Sequence, residues 1–349
     1  MPVSISGTNG VTFPDSSLQA AAASPYVLKN RIINGAMQVW QRGTSFTSTN
    51  GYTADRWSTA GFTGVNASQS TSVPTITTGN SFQYSLKVGR PAASTATTTQ
   101  LIAQCIESNN CYDLSGQTVT FSFWAKAGAN YSSASNSLGL AIYTGTAADQ
   151  GLNSYVSWTG AATPLATTTT INTTWTRYSY TVTFGANVLE SAIFFYYTPS
   201  GTAGADDNFY ITGVQLEIGS TATPFERRLY NQELANCQRY YQTSYVAGTA
   251  IDSTTGVTDG VSFISINTSD STNGGLYPIT MRASPTVSVY STTGGSGSPS
   301  ARNNSTGAAI TSITLNGGTS TNLPRLTKAA GLPATGSSCS AQFTASAEL

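Results

Sequence analysis

No histidine occurs in the 349 residues, which removes Ser-His-Asp and Cys-His nucleophile arrangements, histidine-containing zinc sites and a histidine general base. Hydrolytic chemistry would have to run on carboxylates, and the chain holds 15 of them. Glycosidases set two carboxyls about 5–9.5 Å apart across the scissile bond. Asp206 and Asp207 are the only adjacent acids, but neighbours on a strand point to opposite faces. Glu107, Glu190 and Glu217 are distant in sequence and would have to converge in space. The expectation is therefore a protein that is not an enzyme. Asp206-Asp207-Asn208 could instead supply oxygens to a structural calcium ion, which takes about six to eight of them. The other reading is a solvated turn entering a strand. No other cofactor is expected. The Gly-rich stretch 294–297 is followed by no Lys-Ser or Lys-Thr, so it reads as a turn and not a phosphate loop.

The remaining chemistry is aromatic. A ring that stacks on the C–H face of a sugar, with a few polar groups to fix orientation, makes a glycan site. Trp158 with Tyr155, in the loop-like segment 153–160, is one candidate platform, and Trp175 with Tyr178 is another. The competing reading buries both tryptophans in a core. Trp124 faces opposite Phe121 and Phe123 on its strand, towards another face or an interface. Trp40 and Trp57 read as framework, and Asp55 with Arg56 as a local polar clamp.

Only 9% of residues are charged, against roughly 25% in ordinary soluble domains. Aromatics make up 10%, too many for a disordered chain. Fifteen basic residues balance fifteen acidic ones, with no Lys/Arg cluster to displace counterions from phosphates, so nucleic acid is not an expected partner. No apolar run approaches the ~18 residues of a membrane span, and no signal peptide is expected. Cys105 and Cys111 are spaced for a bridge, but without an export signal reduced thiols fit better.

These side chains must be positioned by strands. Phe82, Tyr84, Leu86 and Val88 alternate with polar neighbours, as do Val119, Phe121, Phe123 and Ala125, then Tyr178, Tyr180, Val182 and Phe184. That period of two means one buried face. The segment 191–198 is apolar on both faces and should be central, and Val214, Leu216 and Ile218 close the set. The pattern predicts an all-β chain, a jelly-roll β-sandwich over 28–225. A helical connector follows over 226–243. Thr223-Pro224-Phe225-Glu226 could cap it, or the segment is extended and the helix begins near Asn231. Tyr230, Leu234, Cys237 and Tyr241 form a stripe that would meet partner copies around a symmetry axis or pack on its own domain. A smaller β-domain spans 244–349, with Val261, Phe263, Val287, Val289, Ile313, Leu315 and Phe343 as core. Its loops at 245–255 and 294–307 are candidate distal surfaces or plain connections. Residues 1–27 hold too few core-formers to fold alone, apart from a short helical patch over 18–23, and read as a disordered leader or an anchor ordered by a partner.

Several phrases occur together in order: NGAMQVWQRG at 34–43, YTADRW at 52–57, LSGQTVTFSFW at 114–124, GVQLEIG at 213–219, TPFER at 223–227 and CQRYY at 237–241. With GVTFPD at 10–15 and ASAEL at 345–349, the chain resembles bacteriophage tail-fibre and related virion fibre proteins carrying a jelly-roll module like a carbohydrate-binding module. The resemblance implies a homotrimer made in the host cytoplasm and resident in the virion. It would be anchored to other virion proteins by its N-terminus and present β-domains to a host-surface polysaccharide. Alternatives are a head fibre or decoration protein without a receptor role, a depolymerising tailspike, and a cellular carbohydrate-binding module.

Overall fold

The computed structural model describes residues 4–6, 10–12, 18–19, 29–75, 81–252, 261–267, 270–271, 277–290, 292, 300–311 and 332–349. Short strands β1 (Ser4–Ser6), β2 (Gly10–Thr12) and β3 (Leu18–Gln19) form an antiparallel three-stranded sheet. The helical patch expected over 18–23 thus begins as a strand, and the rest of 1–27 lies outside the described residues. Two layers follow, built from β4 (Ser45–Thr49), β5 (Val65–Ser70), β6 (Ser85–Gly89), β7 (Gln100–Ile106) and β8 (Thr118–Ala127). They continue with β9 (Ser137–Gly145), β10 (Ala162–Thr170), β11 (Thr176–Thr183), β12 (Glu190–Tyr197) and β13 (Asn208–Ile218). One sheet has four strands in the order β10-β9-β12-β7, the other six in the order β11-β8-β13-β6-β5-β4. All their pairings are antiparallel, and the product is the expected jelly-roll β-sandwich.

Alternation explains the layering. Val119, Phe121, Phe123 and Ala125 of β8 all point inward and are fully buried. They sit across from Val182, Tyr180, Tyr178 and Thr176 of β11. Phe123 meets Phe195 of the opposing sheet edge-on at 4.8 Å, and each such buried ring contributes roughly 1.5–3 kcal/mol. Strand β12 is apolar on both sides because both sides are covered. Ile193, Phe195 and Tyr197 face the sandwich core, while Ala192 and Phe194 belong to a second cluster on the outer face, with Trp158 and Leu152. In β13 the register on β8 shifts between Thr212 and Gln215. Gly213 occupies this bulge at φ 61°, where a Cβ would stand 2.6 Å from Phe82 Cζ.

The helix α1 (Tyr230–Gln238) begins after Leu229, so the segment 223–228 is extended and caps nothing. It packs on β13 instead: Glu217 accepts from the Thr223 amide, and Gln215 Oε1 accepts from the Glu226 amide. The predicted stripe does not form one face. Glu233 and Cys237 are the buried positions of α1, Tyr230 is 46% exposed, and Tyr241 has already entered a strand. Glu233 turns inward because its carboxylate accepts from the Asn34 amide and from Arg228.

The second unit contains β14 (Tyr241–Thr243), β15 (Val261–Asn267), β16 (Asp270–Ser271), β17 (Thr286–Tyr290), β18 (Ser300–Asn303), β19 (Ala309–Thr311) and β20 (Ser338–Ser346). Strand β20 is its spine: the first half pairs with β15 and β18, the second with β14 and β17. Phe263 and Val289 are buried as expected, with Val287 and Phe343 half-buried against Tyr277 and Met281. Ile313, Leu315, the Val261 side chain and residues 253–255 and 294–299 of the two candidate distal loops lie outside the described residues, while the Gly248 amide donates to the Trp40 carbonyl at 2.8 Å and Ser300–Asn303 is strand β18.

Buried charge joins the two units. Arg56 pairs with Glu348, donates to the Cys105 carbonyl at 2.7 Å and lies 3.5 Å over the Tyr240 ring. Arg42 donates to the same Glu348 at 3.0 Å and covers Tyr241. Asp55 accepts from the Gln41 amide and side chain, each at 2.6 Å. Asp55 and Arg56 are thus two clamps with different partners. Arg282 of the second unit reaches back to Asp149 at 2.8 Å.

Candidate functional site

The four candidate aromatic residues fall into three places. Trp158 is 3% exposed, its indole N–H donates to the Gly151 carbonyl at 3.0 Å, and its ring fills the cluster outside the four-stranded sheet. It offers no face to a ligand. Tyr155 is half-buried beside it, packed at 4.6 Å on Tyr143 and 4.5 Å on Phe194. Tyr178 lies on the inner face of β11, stacked at 5.6 Å on Phe123, with its hydroxyl donating to the Thr170 carbonyl. Trp175, immediately before β11, stands on the outer face of the six-stranded sheet, so it and Tyr178 are no pair.

Trp175 begins a row that crosses the sheet. Lys126 of β8 stands 5.8 Å from the Trp175 ring centroid. Tyr210 of β13 is directly opposite Lys126 on one side and Lys87 of β6 on the other. Lys87 is opposite Ser68 of β5, and Ser68 opposite Ser45 of β4. The register therefore aligns Lys126, Tyr210, Lys87, Ser68 and Ser45, positions far apart in the chain, and the Trp175 ring, one residue before β11, extends the row past Lys126. At about 4.8 Å per strand spacing the row is roughly 24 Å long. A groove lined by Ser45, Thr47, Ser68, Lys87, Arg90 and Asn208 occupies the β4 end. A neighbouring row holds Arg177, Trp124 and Thr212. Beyond it the face closes, because the 223–228 segment covers Gln215 and Glu217.

The row is electrostatically tuned. The Lys126 ammonium lies 4.6 Å over the Tyr210 ring and Lys87 5.6 Å from it, both within cation–π range. Trp175 meets Tyr210 edge-on at 6.5 Å. Asp206 accepts from Tyr210 Oη at 2.9 Å, from Asn208 Nδ2 at 3.0 Å, and pairs with Lys87 at 3.1 Å. Burial pushes the Asp206 carboxyl up, but these donors outweigh it and hold it below the usual carboxylate range. Burial pushes the Tyr210 phenol well up, and its bond to Asp206 adds to that. Tyr210 is thus a locked, neutral hydroxyl with both ends fixed.

Asp206 and Asp207 do not form an oxygen cage for calcium. Asp207 turns to the other face, fully buried, where Arg90 Nε meets it at 2.5 Å and the Ser132 amide and hydroxyl and Tyr197 Oη donate to it. Each carboxylate is taken by a protein cation. Among the described residues no group of three or more His, Cys, Asp or Glu is arranged to hold a metal.

Two of the acids distant in sequence come near one another: Asp149 shares Arg282 with Glu107, and its charge acts on Glu190. Glu107 pairs with Arg239 at 3.1 Å, and Glu217 is held by Lys29 and Thr223. Glu190 accepts one bond, from the Gln150 amide at 2.7 Å, while its Oε1 is buried with no partner among the described residues. Burial pushes its carboxyl up to about 7. All four cysteines are free and buried; Cys105 and Cys111 are unbridged. Among the described residues no helix is long and apolar enough to cross a membrane.

Sequence reasoning found Trp175 but missed Lys126, Tyr210 and Lys87. Each is the polar or amphipathic outward position of an alternating strand, and only the cross-strand register brings them together.

No protein-family model matches the chain, and no curated protein matches it in sequence. Among solved structures it is similar to the enzymatically active domain of tailspike protein 4 of bacteriophage CBA120, at 14% identity and a TM-score of 0.34. That match covers 54% of this chain but 21% of the tailspike chain. It is also similar to the CBM22-1 xylan-binding domain of Paenibacillus barcinonensis Xyn10C, at 13% identity and a TM-score of 0.29, covering 52% of this chain and all but 1% of that one (99%). The N-terminal cellulose-binding domain of Cellulomonas fimi β-1,4-glucanase C matches at 18% identity and a TM-score of 0.26, covering 40% of this chain and 80% of that domain. Scores this low carry no argument about function; the β-sandwich stands on its own strand order and register.

Proposed function

We propose that this chain is a non-catalytic fibre subunit of a bacteriophage particle that attaches to a host-surface glycan through the outer face of its six-stranded sheet. The observation that carries the reading is the aligned row from Trp175 to Ser45. It combines the half-buried Trp175 ring, able to stack on a sugar face, with ammonium, amide and hydroxyl groups, on rigid strands braced by the buried Tyr210, beside a polar groove. Its length suits several linked sugar units better than one. The fibre assignment rests on the ordered phrases that resemble virion fibre proteins. Those phrases build framework: Asn34 binds Val39, Asp55 and Gln38, Trp57 is fully buried, and Thr223 and Glu226 lock onto β13. The N-terminal segment would join other virion proteins. The fibre would be a homotrimer, for which Leu229, 81% exposed, and the neighbouring Tyr230 are the apolar groups to be covered.

Adsorption of the purified full chain to host cells, followed by incubation with their surface polysaccharide, tests this reading. Saturable adsorption with unchanged polysaccharide length is expected. Absence of adsorption would leave a structural head fibre or decoration protein. Shortened polysaccharide would make the chain a depolymerising tailspike.

A further inference from the structure

The charges on this face are not balanced, although the whole chain is. Lys87 is neutralised by Asp206. Lys126 is not: its ammonium contacts two rings and has no carboxylate partner among the described residues. Arg177, one row away, donates only to neutral oxygens, the Ser122 hydroxyl at 3.2 Å and the Thr223 carbonyl. Glu217 beneath the 223–228 segment is already paired with Lys29. The open face therefore carries Lys87, Lys126 and Arg177 against Asp206, a formal excess of two positive charges.

A second observation points the same way. The indole N–H of Trp175 is buried with no acceptor among the described residues. Beside it, Lys126 brings three more donors and no acceptor. A buried donor without a partner is a cost that an acceptor oxygen removes. Lys126, half-buried, 5.8 Å from the Trp175 ring centroid and without a carboxylate, is the donor that an incoming group can reach, and its charge asks for a group made only of acceptors. A neutral sugar hydroxyl supplies an acceptor but leaves the ammonium charge unmatched. A carboxylate or phosphate supplies several oxygens and the charge. The rings of Trp175 and Tyr210 on either side hold the ammonium in place, so little ordering is lost when the anion arrives.

We infer that the glycan taken by this face is acidic, a polysaccharide bearing carboxylate or phosphate groups, with one anionic group received by Lys126 between Trp175 and Tyr210. The inference rests on the reading of this face as a glycan site, and it adds the ligand's charge class. Arg177 stands one row further along, where it meets a second anionic group of the same chain.

The test is retention of the full chain in gels containing four probes: polygalacturonate, its carboxyl-reduced neutral form, glycerol-phosphate teichoic acid, and dextran. Wild-type protein and the Lys126→Gln variant are compared, with the melting temperature of each measured to exclude misfolding. Retention on polygalacturonate or on teichoic acid is expected, at least tenfold stronger than on the neutral counterpart and reduced at least tenfold by Lys126→Gln. Lys126→Arg should restore most of it, and which acidic polymer responds separates carboxylate from phosphate. Equal retention on acidic and neutral polymers, unaffected by Lys126→Gln, would overturn the acidic assignment while leaving a glycan face. Retention on none of the four would count against the glycan reading itself.

Discussion

Glu190 and Glu348 are both buried carboxyls, and their partners separate their consequences. Glu190 has one amide donor and one bare oxygen, so its ionised form is poorly solvated. With its folded-state pKa raised to about 7, above the unfolded ~4.3, the folded protein holds this proton more tightly than the unfolded one. Stability from this group is therefore greatest below about pH 4.3 and falls as pH rises through about 7. Glu190→Gln should raise stability at pH 8 by about 2 kcal/mol and change little at pH 4.5, read by thermal unfolding at the two values. A stabilisation independent of pH would show that the charge is not the cause. Glu348 instead satisfies two buried guanidinium groups. Glu348→Ala leaves Arg56 buried and uncompensated, and should cost about 3–5 kcal/mol in chemical denaturation. A loss under 1 kcal/mol would mean that the ion pairs are solvated in solution.

At the scale of elements, the strands were legible wherever one face is buried. Val119, Phe121 and Phe123 alternate because the other side of β8 is polar, its Thr120 and Ser122 buried and its Trp124 and Lys126 half-buried, and β12 is apolar throughout because a second cluster covers its outer face. The helix was legible in existence but not in orientation. The spacing of Tyr230, Leu234, Cys237 and Tyr241 suits a helical stripe, yet the chain turns into β14 before Tyr241. Glu233, a charged residue no periodicity would bury, faces inward to take Arg228 and the Asn34 amide. The candidate face was legible only at Trp175. Its other members meet through pairings between positions 45, 68, 87, 126 and 210, and register across long connections is not written in any local window. Gly213 controls that register at the bulge of β13. Gly213→Ala forces a left-handed backbone on a residue whose Cβ meets Phe82, and should cost about 2 kcal/mol or more. Because Tyr210 and Thr212 hang on the same strand, glycan retention should weaken with it. A variant as stable as wild type would place the bulge elsewhere.

Beyond the short N-terminal sheet, the described residues form two β units joined by ion pairs, with Glu348, just after β20, reaching the jelly roll. Assembly adds a third level. Sedimentation of the full chain should give a species near three times 36.3 kDa that persists on dilution. A monomer at all concentrations would remove the fibre symmetry and leave a free-standing binding module. The central claim, however, is which face binds. The direct measurement is retention on host-surface polysaccharide of wild-type protein, Trp175→Ala and Tyr155→Ala, the last altering the opposite sheet's outer face. The account predicts that Trp175→Ala loses about tenfold or more in affinity, about 1.4 kcal/mol, while Tyr155→Ala binds as wild type. Loss of binding with Tyr155→Ala and none with Trp175→Ala would contradict it and move the site to the four-stranded sheet.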